Sequence, residues 1–330
     1  MRIASNHDHP TNFLRAAYEV TEKTLRDVLG VSDRLSLLEE PPARLATSEP
    51  HDASCRVVAP QVTLDQVVLP PALRRSIEEV LWQAREGAGR YREWGLDSVL
   101  EKGKGTVVLF TGAPGTGKTM TAEAMAHRLG KNLHIADYSR LESKWVGETE
   151  KNIVDIFHAA READAVLLLD EADAVLSSRV DGGHYNDRAY NRQVSILLTE
   201  LEAYEGLIIL TTNRMVVLDE GLARRVSATF QFPVPGPAER FRIWKSLLPG
   251  RMPLAEDVDL SALAHRYPLA GGHIKNAILS AVRRAALRDG DGVRIRQSDL
   301  GEAAAGERHG FRPGARPIGF GEGAYAPFLG

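Results

Sequence analysis

Among 330 residues there is a single cysteine, Cys55. One thiol cannot close a disulfide within its own chain, so a reducing compartment is the expectation. Cys55 itself reads as an inert small residue in or near a linker rather than a nucleophile. Excess charge of either sign is also lacking: 41 Lys and Arg against 44 Asp and Glu leave a formal net charge of −3. That balance supplies no global field toward nucleic acid or an anionic membrane, although a local basic patch is compatible with it. Apolar runs stay short of the roughly 20 residues a membrane helix needs. Residues Met1 to His9 carry no apolar core of a signal peptide. A cytoplasmic protein is therefore expected, with no membrane and no nucleic-acid partner. Internal repeats are lacking too, and the length and 43% hydrophobic content suit a globular chain with two or three packed units.

What is present begins with Gly112-Ala113-Pro114-Gly115-Thr116-Gly117-Lys118-Thr119. This matches G-x-x-x-x-G-K-[ST], the loop whose glycines let backbone N–H groups turn inward around phosphates. Lys118 is placed for the β- and γ-phosphates and the Thr119 hydroxyl for Mg²⁺. The apolar run Thr106–Phe110 reads as a buried strand before the loop. Thr119 to Leu129 reads as a helix closed by Gly130, its positive dipole end aimed at the same phosphates. ATP is the expected ligand.

Residues 1–40 read as a helical unit, with Leu14, Ala17, Tyr18, Leu25, Val28 and Leu29 on one face and Gly30 interrupting. Two readings of that unit stand: local packing, or a docking element for a substrate or adaptor. Residues 41–61, with Pro41-Pro42 and Pro50, read as a polar linker. From 62 to 235 strand-like and helix-like stretches alternate, the pattern of a parallel α/β sheet flanked by helices. Strands are expected at Thr106–Phe110, Leu133–Ile135, Ala165–Leu169 and Leu207–Thr211. Residues 236–305 carry only helical patterns, at Ala238–Leu248, Asp259–His265, Ile274–Leu287 and Gln297–Ala304. The stretch 306–330 is rich in Gly and Pro and reads as a flexible tail, whose Phe311, Phe320, Tyr325 and Phe328 leave docking open.

A second acidic motif follows an apolar run: Ala165 to Leu169, then Asp170-Glu171-Ala172-Asp173. In a phosphate-loop protein such a strand ends at the nucleotide crevice. Asp170 is then suited to Mg²⁺, and Glu171 to polarising the water that attacks the γ-phosphate. A protein that only binds nucleotide has less need of the second carboxylate, so a hydrolase is expected.

Together these segments resemble an AAA+ ATPase, in the branch holding katanin, the proteasomal ATPases and the membrane-anchored AAA proteases, over about residues 62 to 305. The resemblance implies a P-loop sheet sandwiched by helices and followed by a small all-α lid. Leu207 to Arg214 is similar to the sensor-1 strand, which implies that Asn213 helps place the attacking water. Leu218 to Arg225 resembles the arginine-finger segment, implying that Arg224 or Arg225 reaches the ATP of the next subunit. Val226-Ser227-Ala228-Thr229 follows where the family often places a further arginine, a departure from the two-finger arrangement. Ala270 to Ala277 resembles the start of the lid helix, with Gly272 allowing close approach to nucleotide. No phosphate role is given to Lys275, because this branch commonly lacks a sensor-2 arginine. Asp65-Gln66-Val67-Val68 resembles the segment that contacts adenine. Trp145-Val146-Gly147 is similar to the loop lining the central pore of ring-shaped members, where a bulky aromatic can grip an extended peptide. Asp181 to Tyr185 reads as a second pore loop, with His184 solvated rather than metal-bound.

The resemblance implies a homo-oligomeric ring, six subunits being the family's usual number, that remodels a protein substrate with ATP and Mg²⁺. No H-E-x-x-H protease signature occurs in the sequence. Two other readings are a nucleic-acid remodeller, which the acidic balance disfavours, and an ATP-gated scaffold that works without threading.

Overall fold

The computed structural model describes residues 55–95, 105–138, 148–176, 185–214, 218 and 220–310. The N-terminal helical unit, both candidate pore loops (Trp145, Val146 and Gly147 in the first) and the tail aromatics lie outside these residues or their described side chains.

In chain order the elements are β1 (Cys55–Val58), α1 (Pro71–Trp82) running through a π-helical turn (Gln83–Gly87) into α2 (Ala88–Glu93), and β2 (Thr106–Gly112). Then come α3 (Lys118–Leu129), β3 (Leu133–Asp137), α4 (Glu148–Glu162), β4 (Val166–Asp170), α5 (Asp173–Leu176) and α6 (Tyr185–Ala203). After β5 (Leu207–Thr212), α7 (Glu220–Ala223) and β6 (Ala228–Phe232), only helices remain: α8 (Pro237–Leu247), α9 (Leu260–Arg266), α10 (Gly271–Asp289) and α11 (Gln297–Gly310).

The strands form one six-stranded sheet in the order β1-β3-β4-β5-β2-β6. All neighbours are parallel except β1, which runs antiparallel to β3. Both faces are covered, which is why β2, β4 and β5 are almost continuously apolar instead of alternating. Their alternate residues divide between two cores. Leu109, Leu169 and Leu210 pack with Ile156 and Phe157 of α4 and Leu197 of α6. Phe110, Leu168 and Ile209 pack with Ile77 of α1 and Met125 of α3. A third core lies among α8 to α11, centred on the fully buried Trp244 and including Ile274, Ile278 and Leu300. No described helix is long and apolar enough to cross a membrane.

The sheet and helices agree with the α/β expectation, with three local differences. Cys55–Val58, read from the sequence as linker, is an edge strand paired among the described residues only to β3. Four residues with partial exposure leave no alternating signature. Ala228–Phe232, read only as the flank of the arginine segment, is the opposite edge strand; Phe230 and Phe232 face inward while Thr229 and Gln231 stay exposed. The last helix continues through Gly310, since Glu302 to Arg308 are mostly good helix formers and no proline intervenes.

Candidate nucleotide site

β2 ends in Gly112, and the loop Ala113–Gly117 leads straight into α3, which starts at Lys118 with Gly117 as its N-cap. Gly112 is forced by β6 alongside: a Cβ there would lie 2.3 Å from the Phe232 carbonyl oxygen. The Thr116 hydroxyl donates to the Ala113 carbonyl at 2.8 Å and closes the loop across Pro114. The first N–H groups of α3 and its dipole thus face an open crevice, an arrangement suited to phosphate.

Lys118 is only 7% exposed. Its Nζ donates to the Gly112 carbonyl at 2.6 Å, the Ala113 carbonyl at 3.1 Å and Asn213 Oδ1 at 2.8 Å. Burial pulls its pKa below the ordinary lysine value, and the nearby Asp170, Asp173 and Glu171 act in the opposite direction. The loop lysine and the Asn213 that follows β5 therefore meet in one place, 95 residues apart in sequence.

Parallel pairing brings the end of β4 beside β5 and close to α3. Thr119 Oγ1 lies 3.3 Å from Asp170 Oδ2. Glu171, next along, is exposed and adopts a φ of +54°. Among the described residues no group of three or more His, Cys, Asp and Glu gathers as a metal site. A cation here would rest on Thr119 and Asp170 and complete its shell with phosphate and water. That is the donor set Mg²⁺ takes, hard oxygens with few protein ligands.

The crevice has a volume of about 520 Å³. Gln66, Val67 and Val68 line one side, while Asp65 turns away to Arg74 at 2.6 Å. Ile243 and Leu247 of α8 and Gly272 of α10 line the other. Lys275 also lines it. Lys118, Thr119, Asp170, Glu171 and Asn213 thus converge on one apolar-walled cleft with a polar floor, the usual form of a small-molecule site.

Arg224 and Arg225 sit apart from that cleft, just after α7. Arg225 is held within its own chain: its Nη1 donates to the Gly221 carbonyl at 2.7 Å and its Nη2 pairs with Glu202 at 3.0 Å. Arg224 is exposed.

Sequence reasoning missed several residues at the site. Thr211 and Thr212 bond to Asp170 and Asp173 through their hydroxyls. Arg240, nearly buried, donates through Nε to the Ala264 carbonyl at 2.7 Å and through Nη1 to the Pro235 carbonyl at 2.6 Å. It thereby ties the exit from β6 to the end of α9. Two hydroxyls closing the apolar run Leu207–Leu210 were a usable signal for the threonines; Arg240 in an exposed-looking helix gave none.

Residues 108–234 match the ATPase family associated with various cellular activities (AAA). The chain is 36% identical over 189 residues to a cell division cycle protein 48 homolog of Archaeoglobus fulgidus, covering 55% of this chain and 25% of that protein. It is 32% identical over 206 residues to 26S proteasome regulatory subunit 8 homolog B of Arabidopsis thaliana, covering 60% and 49%. It is 32% identical over 260 residues to ATP-dependent zinc metalloprotease FtsH 3 of Sphaerobacter thermophilus, covering 76% and 51%. The matched stretch thus spans between a quarter and about half the length of these relatives. With its phosphate loop, acidic strand end and strand-end asparagine drawn together in one cleft, the chain carries an AAA ATPase domain.

Proposed function

We propose that this protein hydrolyses ATP and uses the energy to remodel a protein substrate, working as a homo-oligomeric ring. The convergence of Lys118, Thr119, Asp170, Glu171 and Asn213 on one cleft carries the reading. Backbone N–H groups of the loop and Lys118 bind the phosphates, Glu171 takes a proton from the attacking water, and Asn213 orients that water. Thr119 and Asp170 would hold Mg²⁺, which supplies charge neutralisation on the phosphates when bound.

Of the two candidate arginines, Arg224 is assigned as the finger that serves a neighbouring subunit. The support is that Arg224 is exposed just after α7. Residues 55–235, with the edge strand β1 included, form the ATPase core and 236–310 the lid. Trp145, Val146 and Gly147 grip the substrate in the pore, and residues 1–60 with the tail select it. A cytoplasmic setting is proposed on the single cysteine. Two of the relatives are by name a proteasome regulatory subunit and an ATP-dependent protease, which favours a protein over a nucleic-acid substrate.

The test is the solution mass and ATP turnover of Glu171→Gln at saturating ATP. The expected result is a nucleotide-bound ring with turnover abolished. A variant that stays monomeric with ATP bound would remove the ring and its finger; one that still hydrolyses ATP would remove Glu171 as the base.

A further inference from the structure

β5 places two hydroxyls, Thr211 and Thr212, at the end of an otherwise apolar strand that is buried throughout. A buried hydroxyl is retained where it has partners, and Thr211 has two. It is 1% exposed; its Oγ1 donates to Asp170 Oδ1 and accepts the Glu171 N–H at 3.2 Å. The Thr211 carbonyl accepts the next N–H, that of Ala172, at 2.9 Å. One residue of β5 therefore holds the carboxylate of Asp170 and the backbone of both residues after it.

We propose that Thr211 is a positioning residue for ATP hydrolysis, its hydroxyl fixing Asp170 and Glu171 as one unit at the end of β4. This rests on the ATPase reading above. Two consequences follow from the atoms involved. First, the hydroxyl proton occupies Oδ1 of Asp170 and leaves Oδ2 facing Thr119 Oγ1 at 3.3 Å, where a cation would sit. An oriented carboxylate binds a cation better than one free to rotate, and outer partners of a ligand are what orient it. Second, Glu171 has a φ of +54°, a left-handed conformation that a non-glycine residue keeps only when its surroundings hold it. The bond from its N–H to Thr211 is such a hold, and it directs the Glu171 side chain into the cleft. Thr212 serves a different pair: it donates to Asp173 and accepts the Arg214 N–H at 3.0 Å, so it braces the turn carrying Asn213.

Thr211→Val keeps the shape of the side chain and removes both bonds; Thr211→Ser keeps the hydroxyl and removes the methyl. The full-length variants are compared with wild type for ATP turnover and for thermal unfolding. ATP binding is measured with and without Mg²⁺ in a Glu171→Gln background, where no turnover complicates it. Thr211→Val is expected to lower kcat by roughly 10–100-fold and to cut the Mg²⁺-dependent gain in ATP affinity by a similar order. Its affinity for Mg²⁺-free ATP should stay within about twofold, a limit set by loss of no phosphate contact. Thr211→Ser should recover most of both losses. If Thr211→Val does not fold, Thr211→Ala carries the same expectations, because it lacks the hydroxyl and adds no bulk.

Turnover near wild type in the Val or Ala variant, beside an inactive Glu171→Gln, would overturn the proposal. So would equal loss in the Ser variant, or a parallel loss of Mg²⁺-free ATP binding, either of which makes the role one of packing alone. Hydrolysis persisting in Glu171→Gln itself would instead overturn the underlying assignment of the base.

Discussion

The amide of Gly272 donates to the carbonyl of Gly115 at 3.0 Å, joining the second residue of α10 to the phosphate loop. A side chain on either residue would make a tight contact with the other. A Cβ on Gly272 would lie 3.1 Å from Gly115 Cα, and one on Gly115 would lie 3.3 Å from the Gly272 backbone. Gly115 also has a φ of +74°, which favours glycine. The loop and the start of α10 are therefore joined directly, so a displacement of one is felt at the other.

Gly272→Ala is accordingly expected to shift the start of α10 slightly against the loop while leaving the loop chemistry intact. The cost to stability should be about 1–3 kcal/mol, the usual range for added bulk at a tight contact. ATP affinity should fall with it, because α10 and α8 form one wall of the cleft. Isothermal titration with nucleotide and a thermal melt check both; unchanged affinity would mean that α10 relaxes away without consequence.

The two arginines after α7 should separate cleanly. Arg225→Ala breaks a partly exposed pair with Glu202 and a bond to Gly221, so a stability loss of about 1 kcal/mol is expected, read by denaturant unfolding. Arg224→Ala should leave ATP binding unchanged and lower turnover by about 10³-fold or more, as loss of an arginine finger does. The decisive measurement mixes Arg224→Ala with Lys118→Ala subunits. Recovered turnover in the mixture would show that one chain's Arg224 serves another chain's ATP.

Trp145→Ala, within the proposed pore loop, is expected to spare ATP turnover and abolish unfolding of a protein substrate. Release of a fluorescent reporter protein's signal, followed beside phosphate production, reads the two separately. Substrate processing that survives the change would favour an ATP-gated scaffold over threading.

Acid should loosen the joint between α10 and α11 within a definite window. Arg288 donates from Nε to Asp289 Oδ1 and from Nη2 to Asp289 Oδ2, both at 2.8 Å, and from Nη1 to Asp299. These bonds hold the Asp289 carboxyl down at about 2, against an ordinary value of 3.8. Burial pushes Asp299 up, but Arg288 and the Arg296 N–H outweigh it, so its net shift is also downward. A carboxyl depressed in the folded state stabilises fully above its unfolded value. That contribution disappears as pH falls from about 4 through about 2. Thermal melts between pH 6 and pH 2, in roughly half-unit steps, should show this loss in wild type. Arg288→Met should melt lower on the plateau and lose less on acidification; a parallel acid profile would show that other carboxylates dominate.

The sequence by itself determined the chemistry of the phosphate loop and of the acidic strand end. Both are contiguous: the glycines, Lys118 and Thr119 must be neighbours for the backbone to wrap a phosphate, and Asp170-Glu171 must follow an apolar strand to reach the crevice. The central strands were legible for the same reason, since burial on both faces demands unbroken apolar runs such as Val166–Leu169. Edge strands make no such demand, which is why Cys55–Val58 and Ala228–Phe232 left little trace. Tertiary structure alone decided the pairings between distant segments. Lys118 meets Asn213, Thr211 holds Asp170, Gly272 touches Gly115, and Arg225 turns back to Glu202. Each depends on strand order and helix docking, and a hydrogen bond formed across the fold leaves no periodic mark in the chain that makes it.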